Sequence, residues 1–114
     1  MLVPATILRL PVSHDSLFIE TTDDIPIQID ALGDVSRLFH LELIGEHGRT
    51  SVDLLDNFSA FKTTIAVFLD MVRSRRPVIP AVDTWRSVST IIAGQKAIPG
   101  GVAMAVPAAP KGTQ

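Results

Sequence analysis

The sequence predicts an α+β fold: a mainly antiparallel, open sheet with two helices packed on one of its faces. Three observations predict it. The first half alternates short runs rich in Val, Ile, Leu, Phe and Thr with turn-forming clusters. The second half carries two apolar stripes at helical spacing. Strands followed by helices, without βαβ alternation, point to helices segregated on one side of a sheet.

Strands are expected near 2–10, 16–22, 25–32, 37–45 and 49–55. Ser13-His14-Asp15, Asp23-Asp24, Gly33-Asp34 and Gly45-Glu46-His47-Gly48 punctuate them. The last cluster joins two apolar runs and reads as a β-hairpin turn, with glycine supplying a positive φ. Alternation assigns the faces. Phe39, Leu41 and Leu43 point one way, with Leu38, His40, Glu42 and Ile44 opposite. Ile25, Ile27, Ile29 and Ala31 share a face opposite Gln28 and Asp30.

From Asn57 to Arg75, the residues Phe58, Phe61, Ile65, Phe68, Leu69 and Val72 form a broad helical stripe. Asp56, Asn57 and Ser59 are N-cap candidates, and Arg76-Pro77 stops the helix. A second helix is expected from Asp83, as N-cap, to Ala97. Its buried stripe would be Val82, Trp85, Val88, Ile91 and Ile92, with Pro99-Gly100-Gly101 ending it. Residues 102–106 read as a short returning strand. The expected core sets Phe61, Ile65, Phe68, Trp85 and Val88 against Phe39, Leu41 and Leu43. Residues 1–106 form one domain in this reading, and the tail at 107–114, with nothing to bury, is expected to be disordered.

Composition narrows the function. The chain has 114 residues, 46% hydrophobic and 19% charged, with a formal net charge of −2. That charge gives no electrostatic case for nucleic acid. The cluster Arg73, Arg75 and Arg76 suits a helix C-terminus, where cations oppose the dipole. No cysteine is present, which excludes disulfides, thiol catalysis and cysteine-ligated zinc. The N-terminus lacks the marks of a signal peptide, and no apolar run is long enough to span a membrane. A cytoplasmic location is expected.

His14, His40 and His47 show no zinc-site spacing, so no metal site is expected. Nor is there a Gly-x-Ser-x-Gly, a Gly-x-Gly-x-x-Gly or a Walker loop. The candidate site is the mixed sheet face, where Glu20, Gln28, Asp30, His40 and Glu42 could meet a substrate or a partner. A solvated face of an antiparallel sheet is the plainer explanation of the same residues.

The stretch FSAFKTTIAVFLDMVRSRRPVIPAVDTWRSVSTIIAGQKAIPGG resembles the close of Gfo/Idh/MocA (glucose–fructose oxidoreductase / inositol dehydrogenase-like) oxidoreductases. There a helix of the form A-F-x-x-x-I-x-x-F-x-D-x-V-R precedes a basic turn, a Pro-rich link and a small-residue helix before Gly-Gly. Upstream, FHLELIGEHGRTSVDL is similar to that family's hairpin with a Gly-x-x-Gly turn. The likeness covers about residues 37–106, and residues 1–36 fit only loosely. It implies the C-terminal, substrate-binding and oligomerisation half of an NAD(P)-dependent sugar or polyol dehydrogenase. The family's Rossmann domain and its Glu-Lys-Pro motif have no counterpart in this sequence. No catalytic residue therefore carries over, and the chain is expected to bind no cofactor and to be inactive alone. The expected partners are a second copy through the open sheet face and a Rossmann-domain partner, with no nucleic acid and no membrane. Two rivals stand beside this reading: a free-standing dimeric interaction module, and a small pocket enzyme using His40 as base and Glu42 as orienter.

Overall fold

The computed structural model describes residues 2–34 and 39–114. It is α+β, with six strands in antiparallel sheets and two helices among the described residues. The strands are β1 (Pro4–Arg9), β2 (Asp15–Thr21), β3 (Pro26–Ala31), β4 (Phe39–Gly45), β5 (Gly48–Leu54) and β6 (Met104–Ala105). The helices are α1 (Asn57–Ser74) and α2 (Ala81–Lys96). Instead of one open sheet there are two: a four-stranded one in the order β3-β2-β1-β6, and the hairpin β4-β5. Each strand falls close to its expected position, although residues 37 and 38 of the fourth lie outside the described residues.

The chain divides into two compact units. The first comprises 1–33 and 79–114, and the second 34–78. In the first unit β1, β2 and β3 form a meander, and β6 adds to the free edge of β1 through Thr6↔Ala105 and Ile7↔Met104. Register places Ile7, Ile19 and Ile27 side by side, on the face that α2 covers. Ile7, Ile19 and Ala93 are the centre of the core, flanked by Leu17, Ile27, Met104 and Val106.

The face of α2 that meets the sheet is not the expected one. Ser89, Ala93 and Gly94 are its buried residues, followed by Ala97 just beyond its end. Trp85, Val88, Ile91 and Ile92 stay exposed. The reason is close approach. A Cβ at Gly94 would stand 3.1 Å from Leu17 Cδ1 and 3.2 Å from Ile7 Cδ1. A face of small residues lets the helix axis come down onto the isoleucines, which a Trp/Val/Ile stripe would hold away. Arg9 fixes the approach: its guanidinium donates to the Gly94 carbonyl at 2.9 Å and to Asp15 at 2.6 Å. The N-cap is Pro80, not Asp83. Asp83 lies in the first turn and accepts from Arg86 at 2.9 Å. Residues 107–114, the expected tail, lie among the described residues. Ala81 N–H donates to the Gln114 carbonyl at 2.8 Å, so the tail satisfies a donor of the first helical turn that Pro80 leaves uncapped.

The second unit is built from amphipathic pieces. Across β4-β5, Phe39↔Leu54, Leu41↔Val52 and Leu43↔Thr50 share one face. His40↔Asp53, Glu42↔Ser51 and Ile44↔Arg49 share the other. Glu46 and His47 form the turn, and Gly48 takes the left-handed conformation at φ 148°. Asp56 caps α1 as expected, accepting from the Ser59 backbone N–H at 2.9 Å and the Ser59 hydroxyl at 2.7 Å. Arg75, at φ 54°, ends the helix ahead of Arg76-Pro77.

No residue of α1 is buried. Phe61 is 66% exposed, Phe68 56% and Phe39 59%, so within this unit α1 does not pack on β4 as expected. The core lies instead in the first unit, where small residues admit tight contact. No helix among the described residues is long and apolar enough to cross a membrane.

Candidate functional site

Antiparallel pairing of β2 with β3 sets Ser16 opposite Asp30, Phe18 opposite Gln28 and Glu20 opposite Pro26. Cross-strand partners share a face, so Glu20, Gln28 and Asp30 project from the side of the sheet away from the Ile7–Ile19 core. His14, in the β1–β2 turn, joins them. Its Nε2 lies 3.1 Å from Asp30 Oδ1, and because an ionised carboxylate only accepts, Nε2 carries the proton. Gln28 Nε2 donates to Asp30 Oδ2 at 3.0 Å. Leu10, Val12, His14, Ser16, Gln28, Asp30 and Leu32 line a shallow, open concavity of about 400 Å³ around this cluster.

Asp30 is held below its ordinary value of 3.8. The Ser16 hydroxyl is the first cause and the His14 imidazole the second; desolvation opposes them, and Gln28 adds a lesser lowering. Ser16 Oγ is sealed from solvent and completes no hydrogen bond of its own. Glu20 stands apart from the cluster, accepting from Thr6 Oγ at 2.9 Å.

His40 and Glu42 belong to the other unit, on the polar face of the hairpin. His40 Nδ1 lies 2.6 Å from Asp53 Oδ1, and Glu42 faces Arg49 at 3.8 Å. Asp53, not Glu42, therefore orients the His40 ring. The five expected site residues thus fall into two sets, Gln28 and Asp30 (with Glu20 beside them) in one unit, His40 and Glu42 in the other. Among the described residues no group of three or more His, Asp or Glu side chains could hold a metal ion.

No family model, curated protein or solved structure matches the chain.

The chemistry must therefore be read from the side chains. The His14–Asp30–Gln28 cluster offers one ionised acceptor, an oriented imidazole and an amide beside apolar walls. Hydroxyl groups of a small polar molecule suit such a set, because each can donate to the carboxylate and accept from the amide or the ring. Sequence reasoning missed His14 and Ser16. A turn centred on Asp23 implies their pairing, since that register sets 16 against 30 and brings 14 to the same end.

Proposed function

We propose that this chain works by assembly. Its hairpin–helix unit completes its fold against a second polypeptide surface, and the His14–Asp30–Gln28 face is left to a small hydroxyl-bearing molecule. One observation carries the reading: of the described residues 39–78, every one is exposed except Met71, which is half-buried. A two-stranded hairpin is marginal in water by itself, and an amphipathic helix draws most of its stability from packing its apolar face. Ordered amphipathic pieces without a core need a surface to cover them.

The Gfo/Idh/MocA resemblance supplies the setting: the substrate-binding and oligomerisation half of an NAD(P)-dependent sugar or polyol dehydrogenase. Its support is the succession of a hairpin with a Gly-x-x-Gly turn, a capped amphipathic helix, a Pro-bearing link, a small-residue helix and a short strand. The residues of this chain do not fit the cofactor itself. Asp56 already fills the first turn of α1, Asp83 lies in the first turn of α2, and neither helix opens from a glycine loop. Both carboxylates would repel a pyrophosphate. The NAD(P) of a complete enzyme would therefore be carried by a Rossmann-domain partner.

The test has two arms. Titration of NADH and NADPH against the purified chain should give no saturable signal, and tight saturable binding would overturn the assignment. Co-expression with the polypeptide encoded next to it should yield a stoichiometric complex that reduces NAD(P) with a polyol. A neighbour without a glycine-rich strand–turn–helix and Glu-Lys-Pro, or a complex without activity, would remove the dehydrogenase setting. It would leave the second reading, a free-standing dimeric interaction module. That reading draws on the hairpin's polar groups, which already pair among themselves through His40–Asp53 and Glu42–Arg49.

A further inference from the structure

Within the second unit two apolar surfaces leave each other uncovered, and they match. The hairpin strands are seven residues each, about 23 Å long. The α1 stripe from Phe58 to Val72 runs about 21 Å along the helix. A greasy sheet face takes a helix as its natural cover. Yet in this chain the helix does not cover its own hairpin, since Phe61 and Phe39 are each more than half exposed. The link is only Leu55-Asp56, and Asp56 is tied to Ser59 by two hydrogen bonds that fix how the helix leaves the strand.

We infer that two copies of this chain exchange helices, the α1 stripe of each lying on the apolar hairpin face of the other. The proposal rests on the assembly reading above and names its occupant. Three features of the surfaces favour a second copy. The hairpin face of Phe39, Leu41, Leu43, Thr50, Val52 and Leu54 carries no charge, so a like chain meets no repulsion there. Sheet face and helix stripe are supplied by the same chain, so a two-fold arrangement uses both at once and closes. The area also suffices. Five hairpin and six helix side chains stand between 44% and 76% exposed, and at about 100 Å² each they offer about 1,100 Å² per copy against the ~800 Å² of a stable interface.

Because the chain has no cysteine, single cysteines report contacts cleanly. Thr50→Cys places a thiol on the apolar hairpin face, and Ser51→Cys places one on the polar face next to it. Ile65→Cys places one in the α1 stripe. Mixed Thr50→Cys and Ile65→Cys chains, with folding checked by circular dichroism, should form a disulfide-linked pair under mild oxidation. The yield should exceed that from Ser51→Cys with Ile65→Cys by about tenfold, as proximity raises effective concentration. Light scattering should give twice 12.3 kDa for the parent chain. Equal yields from the two mixtures, or Thr50→Cys linking mainly to itself, would overturn the exchange. So would a double Thr50→Cys/Ile65→Cys chain that closes its disulfide internally as a monomer. A monomer that still forms a complex with the neighbouring polypeptide would overturn the exchange while leaving the assembly reading in place.

Discussion

Gly94 sets two effects of opposite sign against each other at one position. Replacing a helical glycine by alanine favours the helix by about 0.8–1.0 kcal/mol. The new Cβ, however, would stand 3.1 Å from Leu17 Cδ1 and 3.2 Å from Ile7 Cδ1. Both contacts are tighter than ordinary packing, and overpacking a filled site costs about 1–3 kcal/mol. Ile7 is 1% exposed and cannot retreat, whereas Leu17 is only half-buried and can turn aside. The sum is a net loss of about 1 kcal/mol for Gly94→Ala. Ile7→Val removes the very methyl that the new Cβ meets, at a cost of its own of about 0.5–1.5 kcal/mol. In that background Gly94→Ala should turn neutral or stabilising, a coupling of about 1 kcal/mol. Urea unfolding of the four proteins measures it, followed through Trp85, the single tryptophan, which lies on α2. Additivity within about 0.3–0.5 kcal/mol would refute the argument. So would a Gly94→Ala single variant that gains the full helical increment.

Two further outcomes follow from the geometry. Because Asp30 is depressed in the folded chain, its contribution is complete above the unfolded value of 3.8 and is lost as pH falls through the lower folded value. Stability measured from about pH 6 down to about pH 2 should therefore fall less steeply in Asp30→Asn than in the parent, and identical profiles would count against the His14–Asp30 pairing. Phe68 is 56% exposed, so Phe68→Ala should cost the monomer about 1 kcal/mol or less, not the 3–5 kcal/mol of a core phenylalanine. The same variant should weaken self-association, and a Phe68→Ala chain that melts far below the parent at high dilution would show the helix to be packed after all.

Element positions were legible because the signals are local. Alternation marks Pro26–Ala31, Gly-x-x-Gly marks the hairpin turn, and Asp56 with Ser59 marks a capped helix start. The buried faces were legible only in part. The stripe Trp85, Val88, Ile91 and Ile92 has the right period for a core, and periodicity ranks residues by hydrophobicity alone. What chose the other face is distance: Ser89, Ala93 and Gly94 let the helix approach Ile7, and no single-helix pattern encodes how near its neighbour lies. Gln28 and Asp30 were found because they lie two apart on one strand. His14 escaped because its link to Asp30 runs across a strand pair whose register had not been assigned.

The first unit is discontinuous in sequence: Ile7 and Ile19 come from its opening meander, and Ala93 arrives after the whole hairpin–helix segment has intervened. During synthesis at about 5–20 residues per second, the meander emerges several seconds before the helix that will cover it. For that interval the isoleucine face stands bare, and the closing contact spans most of the chain, which slows it further. Fusing residues 79–114 ahead of residue 2 would deliver α2 first, and so shorten the exposed period without altering one contact of the finished core.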